Sequence, residues 1–590
     1  MNSVQADRTP RGDRSRGDTG RKGRLARVRE ASPEALAAVD AALLAAGHDV
    51  GVLGAGGAGT ALRRDRLIEY LHALQDRHGQ LAEPHLVALA QRLRLSLVEV
   101  FEVASFYHHF DVVRADAEGA LPAPAAVTVR VCTSLSCSLA GASSLIDRLP
   151  KILGTEVRVL GVPCVGRCEA APVAVVGHNA ITSATAETVA AAVASHATAP
   201  VLPPAIEYAR YRADGGYALL AACVRGERSR DEVIDALAAS GLRGLGGAGF
   251  PTARKWRIVA AQPAPRYLVV NIDEGEPGTF KDRHYLERDP HRFLEGMLIA
   301  AWACGIDAVY VYLRDEYHAC RELLRRELGA LRADPPVPGL PGIELRRGAG
   351  AYICGEESAL IESLEGKRGM PRLRPPYVAE VGLFGRPTLE HNFETLYWVR
   401  TIIEQGAPTF AAQGRHGRSG LRSYSVSGRV RTPGVKLAPA GISVRELIDE
   451  HCGGMADGHA LYAYLPGGAS GGILPASLAD LPLDFDTLQP HGAFIGSAAV
   501  IVLSQHDRAI DAARNLSAFF EYESCGQCTP CRVGTQKLRA LIATERWDEP
   551  LLREIAAVMR DASICGLGQS APNAIESVLR YFPHELREAS

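Results

Sequence analysis

Net charge is nearly absent from this sequence: 65 Lys and Arg stand against 67 Asp and Glu, a formal balance of −2. A chain without a dominant sign carries no electrostatic signature for nucleic acid or an anionic membrane surface. A long apolar run is missing too. The longest apolar stretch, Gly296 to Leu313, contains Gly305 and Asp307, and it reads as a buried helix, a turn and a strand (AVYVYL) rather than a membrane span. The arginine-rich start has no apolar core and no small-residue cleavage site, so no secretory leader is expected. These absences lead to the expectation of a cytoplasmic protein without membrane insertion. That compartment disfavours disulfides, so the 13 cysteines need another use. The remaining composition, 47% hydrophobic and 22% charged, is ordinary for globular protein.

The chain divides by pattern. Residues 1–60 read as a disordered basic extension: arginines interspersed with Asp and Gly, then an Ala/Gly-rich run. Residues 61–125 carry helical periodicity, with apolar positions at i, i+3, i+4 and i+7 in LIEYLHALQDRHG and a stop at Gly79. His108 and His109 read as surface histidines, because no further metal ligand lies near them in sequence. In 126–197 strands (AVTVRVC, VRVLGVPC, PVAVVG) alternate with helix (SSLIDRLPKIL). Helical linkers follow over 198–240, then a second α/β region over 241–415. A β-rich stretch covers 416–505, and 506–590 is helical. No repeat of solenoid type is visible.

Three constellations carry chemistry. The first is Cys132-x4-Cys137 followed by Cys164-x3-Cys168. Two close pairs on two loops supply four thiolates to one centre. Zinc prefers C-x2-C pairs, so the spacing favours a 2Fe-2S cluster over structural zinc or buried thiols. The second is CGQCTPC, with Cys525, Cys528 and Cys531. Three thiolates two residues apart wrap one face of a cubane, and Cys565 is the only cysteine downstream to complete it. A 4Fe-4S cluster is the expectation, with zinc or chance clustering as the alternatives. The other five cysteines (Cys223, Cys304, Cys320, Cys354, Cys452) are isolated and read as small buried apolar residues. The third is glycine-rich. GLRGLGGAGFPT matches G-x-G-x-x-G at Gly244, Gly246 and Gly249, and a Rossmann reading has Asp273 at nearly the right distance. Against it, NIDEGEPGTF crowds Asn271, Asp273, Glu274 and Glu276 into one loop, and GAGAYICGEES adds a second glycine loop with Glu356 and Glu357. Two glycine loops and an acidic loop fit one pocket for a flavin phosphate and a nucleotide ribose, with Lys255 as a source of positive charge.

These segments are similar to known families. Residues 62 to 195 resemble the 24-kDa-type subunit of NADH:quinone oxidoreductase, and Leu219 to Phe582 resemble its 51-kDa-type flavoprotein, so the chain looks like a fusion of the two. The resemblance implies a multidomain α/β and α+β protein. Its parts would be a helical bundle, a thioredoxin-like 2Fe-2S domain, an FMN- and NADH-binding α/β domain, a β-grasp (SLBB-like) domain and a C-terminal helical 4Fe-4S domain. Carried over by motif, Gly244, Gly246, Gly247, Lys255, Asn271, Asp273, Glu274, Tyr352, Gly355, Glu356 and Asn392 would line FMN. Phe250, Glu276, Glu357, Arg374 and Tyr377 would contact NAD(H), with Glu276 and Glu357 as candidate catalytic groups. Leu245, Ala253 and His391 depart from the family pattern.

The segment LPGGASGGILPASLADLPLDFDTL is especially similar to the β subunit of metal-dependent, NAD-linked formate dehydrogenases. That resemblance implies a separate α subunit carrying a molybdenum- or tungsten-pterin site and further iron–sulfur clusters. Electrons from it would reach NAD+ through the clusters and FMN, since a flavin exchanges both single electrons and hydride. The competing expectations are an NAD-linked hydrogenase, a respiratory NADH dehydrogenase, and a non-catalytic zinc-binding scaffold.

Overall fold

The computed structural model describes residues 30–48 and 62–587. Most of the expected basic extension, residues 1–29 and the Ala/Gly run at 49–61, lies outside that range. Its middle contradicts the disorder reading: Pro33–Ala45 is an α-helix capped by Ser32, whose side chain accepts from the Ala35 N–H. Val39, Ala42 and Leu43 are buried at i, i+3 and i+4, a helical stripe that packs on the helix Glu83–Leu93. The bundle is completed by Leu67–His78, which stops at Gly79 in the left-handed region, and by Leu97–Phe106 behind a Ser96/Glu99 capping box.

The next unit has a four-stranded sheet in the order 157–162, 127–132, 174–176, 179–181. Its first two strands are parallel, with Cys132 opposite Val162. Both cysteine pairs therefore sit at the carboxyl ends of neighbouring strands.

The central domain is built on four parallel strands. Tyr267–Ile272, Ala308–Leu313 and Gly342–Arg347 follow one another across the sheet, joined by helices Pro290–Cys304 and His318–Ala333. Thr388–Asn392 then returns to the far side of the first strand. Val269, Val270, Val309 and Val311 are all fully buried, the two-sided burial of a helix-covered parallel sheet. The strand order reverses between Tyr267–Ile272 and Thr388–Asn392, and such a switch point opens a crevice at the strands' carboxyl ends.

A mixed five-stranded sheet follows. Leu421–Gly428 and Ala499–Ser504 are parallel at its centre, and 434–439, 461–465 and 474–475 are antiparallel to their neighbours. The C-terminal region is four principal helices: Ala509–Glu523, Thr529–Ile542, Glu549–Ala562 and Asn573–Tyr581. Among the described residues no helix is long and apolar enough to cross a membrane.

Candidate functional site

The switch point gathers the sequence-predicted residues. Asn271 and Asn392 are register partners at the carboxyl ends of the two diverging strands. The Asn271 amide donates to Gly355 O at 2.9 Å and Glu390 Oε1 at 3.0 Å. Asn392 caps its helix by accepting from the Glu394 N–H at 3.0 Å and donates to Asp282 Oδ2 at 2.6 Å. The first glycine loop folds against this pair. A Cβ on Gly246 would stand 3.0 Å from the Asn392 Cβ. Gly249 has φ +64°, and a Cβ there would stand 2.6 Å from the Phe485 ring, so only glycine lets the loop close. Gly247 lies between them, and the second glycine loop is tied in through Gly355.

The acidic loop is less uniform than its sequence. Asp273 is buried, its Oδ2 has no hydrogen-bond partner, and desolvation holds its carboxyl well above the usual range. Glu276 accepts from the Ser470 N–H at 2.7 Å, the Ser470 hydroxyl at 3.2 Å and the Tyr352 hydroxyl, and burial raises its pKa. Glu274, expected to line the pocket, has both carboxylate oxygens engaged within the protein. Its two oxygens are taken by the N–H groups of Asp282 and Arg283, at 2.8 and 3.1 Å, and by the Tyr317 hydroxyl at 2.7 Å. It is an internal strut at the start of the helix Lys281–Leu286.

Glu356 is engaged within the protein too. Its side chain caps Glu357–Leu364 by accepting from the Ser358 and Ala359 N–H groups, and it pairs with Arg374. Glu357, free of capping duty, faces Arg374 at 3.0 Å and Lys255 at 3.9 Å. Lys255 is shared with Glu390 at 3.5 Å, so its charge is largely spent within the protein. Phe250 and Tyr377 remain 38% and 54% exposed.

Sequence reading missed Glu390, Ser470 and the fully buried trio Lys281, Asp282 and Glu394, in which the ammonium meets the carboxylates at 2.7 and 3.1 Å. Only for Glu390 was there a signal: it shares a strand face with Asn392 two residues on.

The first cysteine set is buried throughout. The Cys132 thiol lies against those of Cys137 and Cys164, and Cys164 Sγ is 3.3 Å from Cys168 Sγ. The Gly166 N–H points at Cys164 Sγ from 3.4 Å. The second set, Cys525, Cys528, Cys531 and Cys565, lines one cavity with Ile353, Pro371 and Leu567. Burial pushes the Cys531 thiol up to about 12 and Cys565 to about 11, so ligation here needs a cation to displace the protons.

Comparison with known proteins assigns these parts. Family models match as the Nuo51 FMN-binding domain at 237–401, a thioredoxin-like [2Fe-2S] ferredoxin at 58–197, an SLBB domain at 423–474, and the NADH-ubiquinone oxidoreductase-F iron-sulfur binding region at 511–589. The mitochondrial NADH-ubiquinone oxidoreductase 51 kDa subunit of Neurospora crassa is 41% identical over 385 residues, 61% of this chain and 77% of the relative. The chain belongs to this 51 kDa flavoprotein family. The mitochondrial NADH dehydrogenase (ubiquinone) flavoprotein 1 of Dictyostelium discoideum is likewise 41% identical, over 61% of this chain and 79% of the relative. A chain of an NAD+-reducing [NiFe]-hydrogenase, in its H2-reduced crystal structure, superposes with a TM-score of 0.77 at 31% identity. That likeness covers 89% of this chain and 93% of the other. This member of the 51 kDa flavoprotein family is thus a fusion with a thioredoxin-like 2Fe-2S domain. It is an NAD-dependent flavin/iron–sulfur oxidoreductase with FMN, 2Fe-2S and 4Fe-4S-binding domains, not a zinc scaffold.

Proposed function

We propose that this chain is the NAD+-reducing electron-transfer subunit of a cytoplasmic formate dehydrogenase complex, working with a catalytic subunit that bears a molybdenum- or tungsten-pterin site. The observation that carries the flavin and nucleotide part is the switch-point crevice, where two glycine loops and the orphaned Asp273 Oδ2 converge. A buried carboxyl oxygen without a donor fits a polyol ligand, and the ribityl hydroxyls of FMN are such donors. Gly244, Gly246 and Gly247 give a phosphate access to backbone, and Asn271, Tyr352, Gly355 and Asn392 complete the flavin wall. Phe250, Glu357, Arg374 and Tyr377 form the open nucleotide side.

FMN supplies the chemistry that exchanges hydride with NAD(H) and single electrons with iron–sulfur centres. The chain's own residues position and insulate. Glu276, fully engaged by Ser470 and Tyr352, holds the loop and keeps a hydrogen-bonded wall facing the nucleotide. It need not move a proton, because hydride transfer requires no strong acid or base from the protein. Cys132, Cys137, Cys164 and Cys168 would ligate the 2Fe-2S cluster, and Cys525, Cys528, Cys531 and Cys565 the 4Fe-4S cluster.

The formate assignment rests on the segment 465–488, the stretch whose Ser470 closes over Glu276. A second reading, an NAD-linked hydrogenase component, is favoured by the likeness to the NAD+-reducing [NiFe]-hydrogenase chain over 89% of this one. Purifying the native complex separates them. Molybdenum or tungsten with formate-dependent NAD+ reduction is expected. Nickel with H2-dependent reduction would replace the first reading by the second. The isolated chain should reduce an artificial acceptor with NADH and leave formate untouched.

A further inference from the structure

We infer that His72, Asp76 and His109 form a binding site for a divalent transition cation of the zinc type, at the seam between the N-terminal helical bundle and the central domain. The two histidines are far apart in sequence, which is why His109 passes for a surface residue there. In the structure its side chain is only 8% exposed and its Nδ1 bonds to Asp315 Oδ2 at 2.7 Å. His72 and Asp76 are four apart on the helix Leu67–His78 and so share a face. One ligand atom from each of the three lies within 4.8 Å of the others.

The hydrogen bonds decide what the rings offer. His72 is 2% exposed, and its Nε2 lies 2.8 Å from Gly348 O. A carbonyl only accepts, so that nitrogen carries the proton and Nδ1 keeps its lone pair. That Nδ1 is buried with no partner, a costly state for a polar atom. At His109 the Nδ1–H donates to the Asp315 carboxylate, so Nε2 is the ring nitrogen left to face a ligand. Each imidazole is thus oriented through one N–H by an oxygen of the central domain, with the other nitrogen free. This is the outer-shell arrangement of metal-ligating histidines.

The backbone around His109 is fixed as well. Its N–H donates to Ala349 O at 3.1 Å, and its carbonyl accepts from Gln75 Nε2 at 2.6 Å. Asp76, with its side chain 40% exposed, stands at the rim, where water completes a tetrahedral shell. Arg347 is the competitor: it pairs with Asp76 at 2.6 Å and with Asp315 at 2.6 Å, and Arg321 reaches Asp315 at 3.4 Å. A cation must therefore share the Asp76 carboxylate with Arg347 and draw the three ligands to about 3.4 Å separations. A bound ion would staple the helix Leu67–His78 to the His109 segment, whose backbone N–H donates to Ala349 O.

The test uses the full chain loaded with flavin and both clusters. It is incubated with Zn2+, gel-filtered, and measured by metal analysis and zinc X-ray absorption. One zinc per chain is expected, with nitrogen and oxygen neighbours at about 2.0–2.1 Å and no sulfur shell at about 2.3 Å. H109Q and D76N should each weaken zinc retention about tenfold or more while flavin content and both cluster signals stay unchanged. Asp76 is exposed, so D76N remains informative if H109Q is unstable. No retained zinc, a sulfur shell, or wild-type retention in D76N would overturn the inference.

Discussion

The two sides of the switch point are built on different principles. On the inner side, the acidic loop meets the first cysteine set, and the arginines and Glu274 there are buried and engaged. Arg314 donates to Cys164 O at 2.6 Å and to Glu274 O. Arg283 donates to Gly166 O at 2.7 Å and pairs with Glu169 and Glu287. On the outer side, the second glycine loop meets the cubane cysteines: Ile353 lines their cavity, and Cys525, Cys528 and Cys565 are only half-buried. Glu357 and Arg374, next to the Glu356 cap, lie on this same side, partly open. Removing one partner of a buried charge pair costs about 3–5 kcal/mol, whereas an exposed pair is worth about 0–1 kcal/mol. The inner side is therefore fixed structure, and in the proposed arrangement the outer side gives the nucleotide and a partner access.

The largest expected effect tests the outer cysteine set. Cys565 stands at the N-cap of Gly566–Ser570, across the cavity from the CGQCTPC loop. Cys565→Ser should abolish or convert the 4Fe-4S signal in electron paramagnetic resonance and leave the 2Fe-2S signal intact. If both signals fell together, the two sides would not be independent; if neither changed, the fourth ligand would lie elsewhere.

What the sequence made legible follows the same division. The cysteine sets are local patterns whose spacing is itself the geometry, and the strand of AVYVYL shows in its apolar run. Partners distant in sequence were not legible. Nothing near Glu274 announces Tyr317, 43 residues on, so its internal bonds were not visible. Glu356 and Glu357 are neighbours of one type, and only the helix start separates the cap from the open carboxylate. The helix Pro33–Ala45 was hidden because its alanines look like the low-complexity run after it, while its burial depends on a helix some 50 residues downstream.

The inner side makes a pH prediction. Burial, reinforced by the Asp282 charge, raises Glu274 from 4.5 to about 7. Between those values the folded chain binds a proton that the unfolded chain has released, so stability falls as pH rises. The contribution is fully present below about 4.5 and gone above about 7. It amounts to a few kcal/mol, since one pKa unit is about 1.4 kcal/mol. Glu274→Gln should flatten the dependence of thermal stability on pH between 5 and 8. A wild-type slope in that variant would place the proton on another group and leave the inner side less tightly engaged than its hydrogen bonds imply.

The smallest effect concerns nucleotide choice on the outer side. With Glu357 at the adenosine ribose in the proposed arrangement, its carboxylate accepts hydrogen bonds from the ribose hydroxyls of NAD(H). NADP(H) would bring a 2′-phosphate against it. Two like charges about 4 Å apart at an effective dielectric of 20 repel by about 4 kcal/mol per pair. Arg374 at 3.0 Å and solvent at this partly open position offset much of that. Glu357→Gln keeps the size, removes the charge and leaves Arg374 with Glu356 as its remaining partner. The efficiency with NADPH relative to NADH should rise about tenfold, roughly 1.4 kcal/mol of lost discrimination. Rejection here works by repulsion, so the gain should appear with NADPH rather than as a loss with NADH. Thermal stability should barely change, because the helix cap belongs to Glu356. Glu356→Gln is the matching control: it should lower the melting temperature and leave the cofactor ratio alone. If the two variants exchanged these phenotypes, the cap and the nucleotide carboxylate would have to be reassigned, and the outer side would lose its open charge.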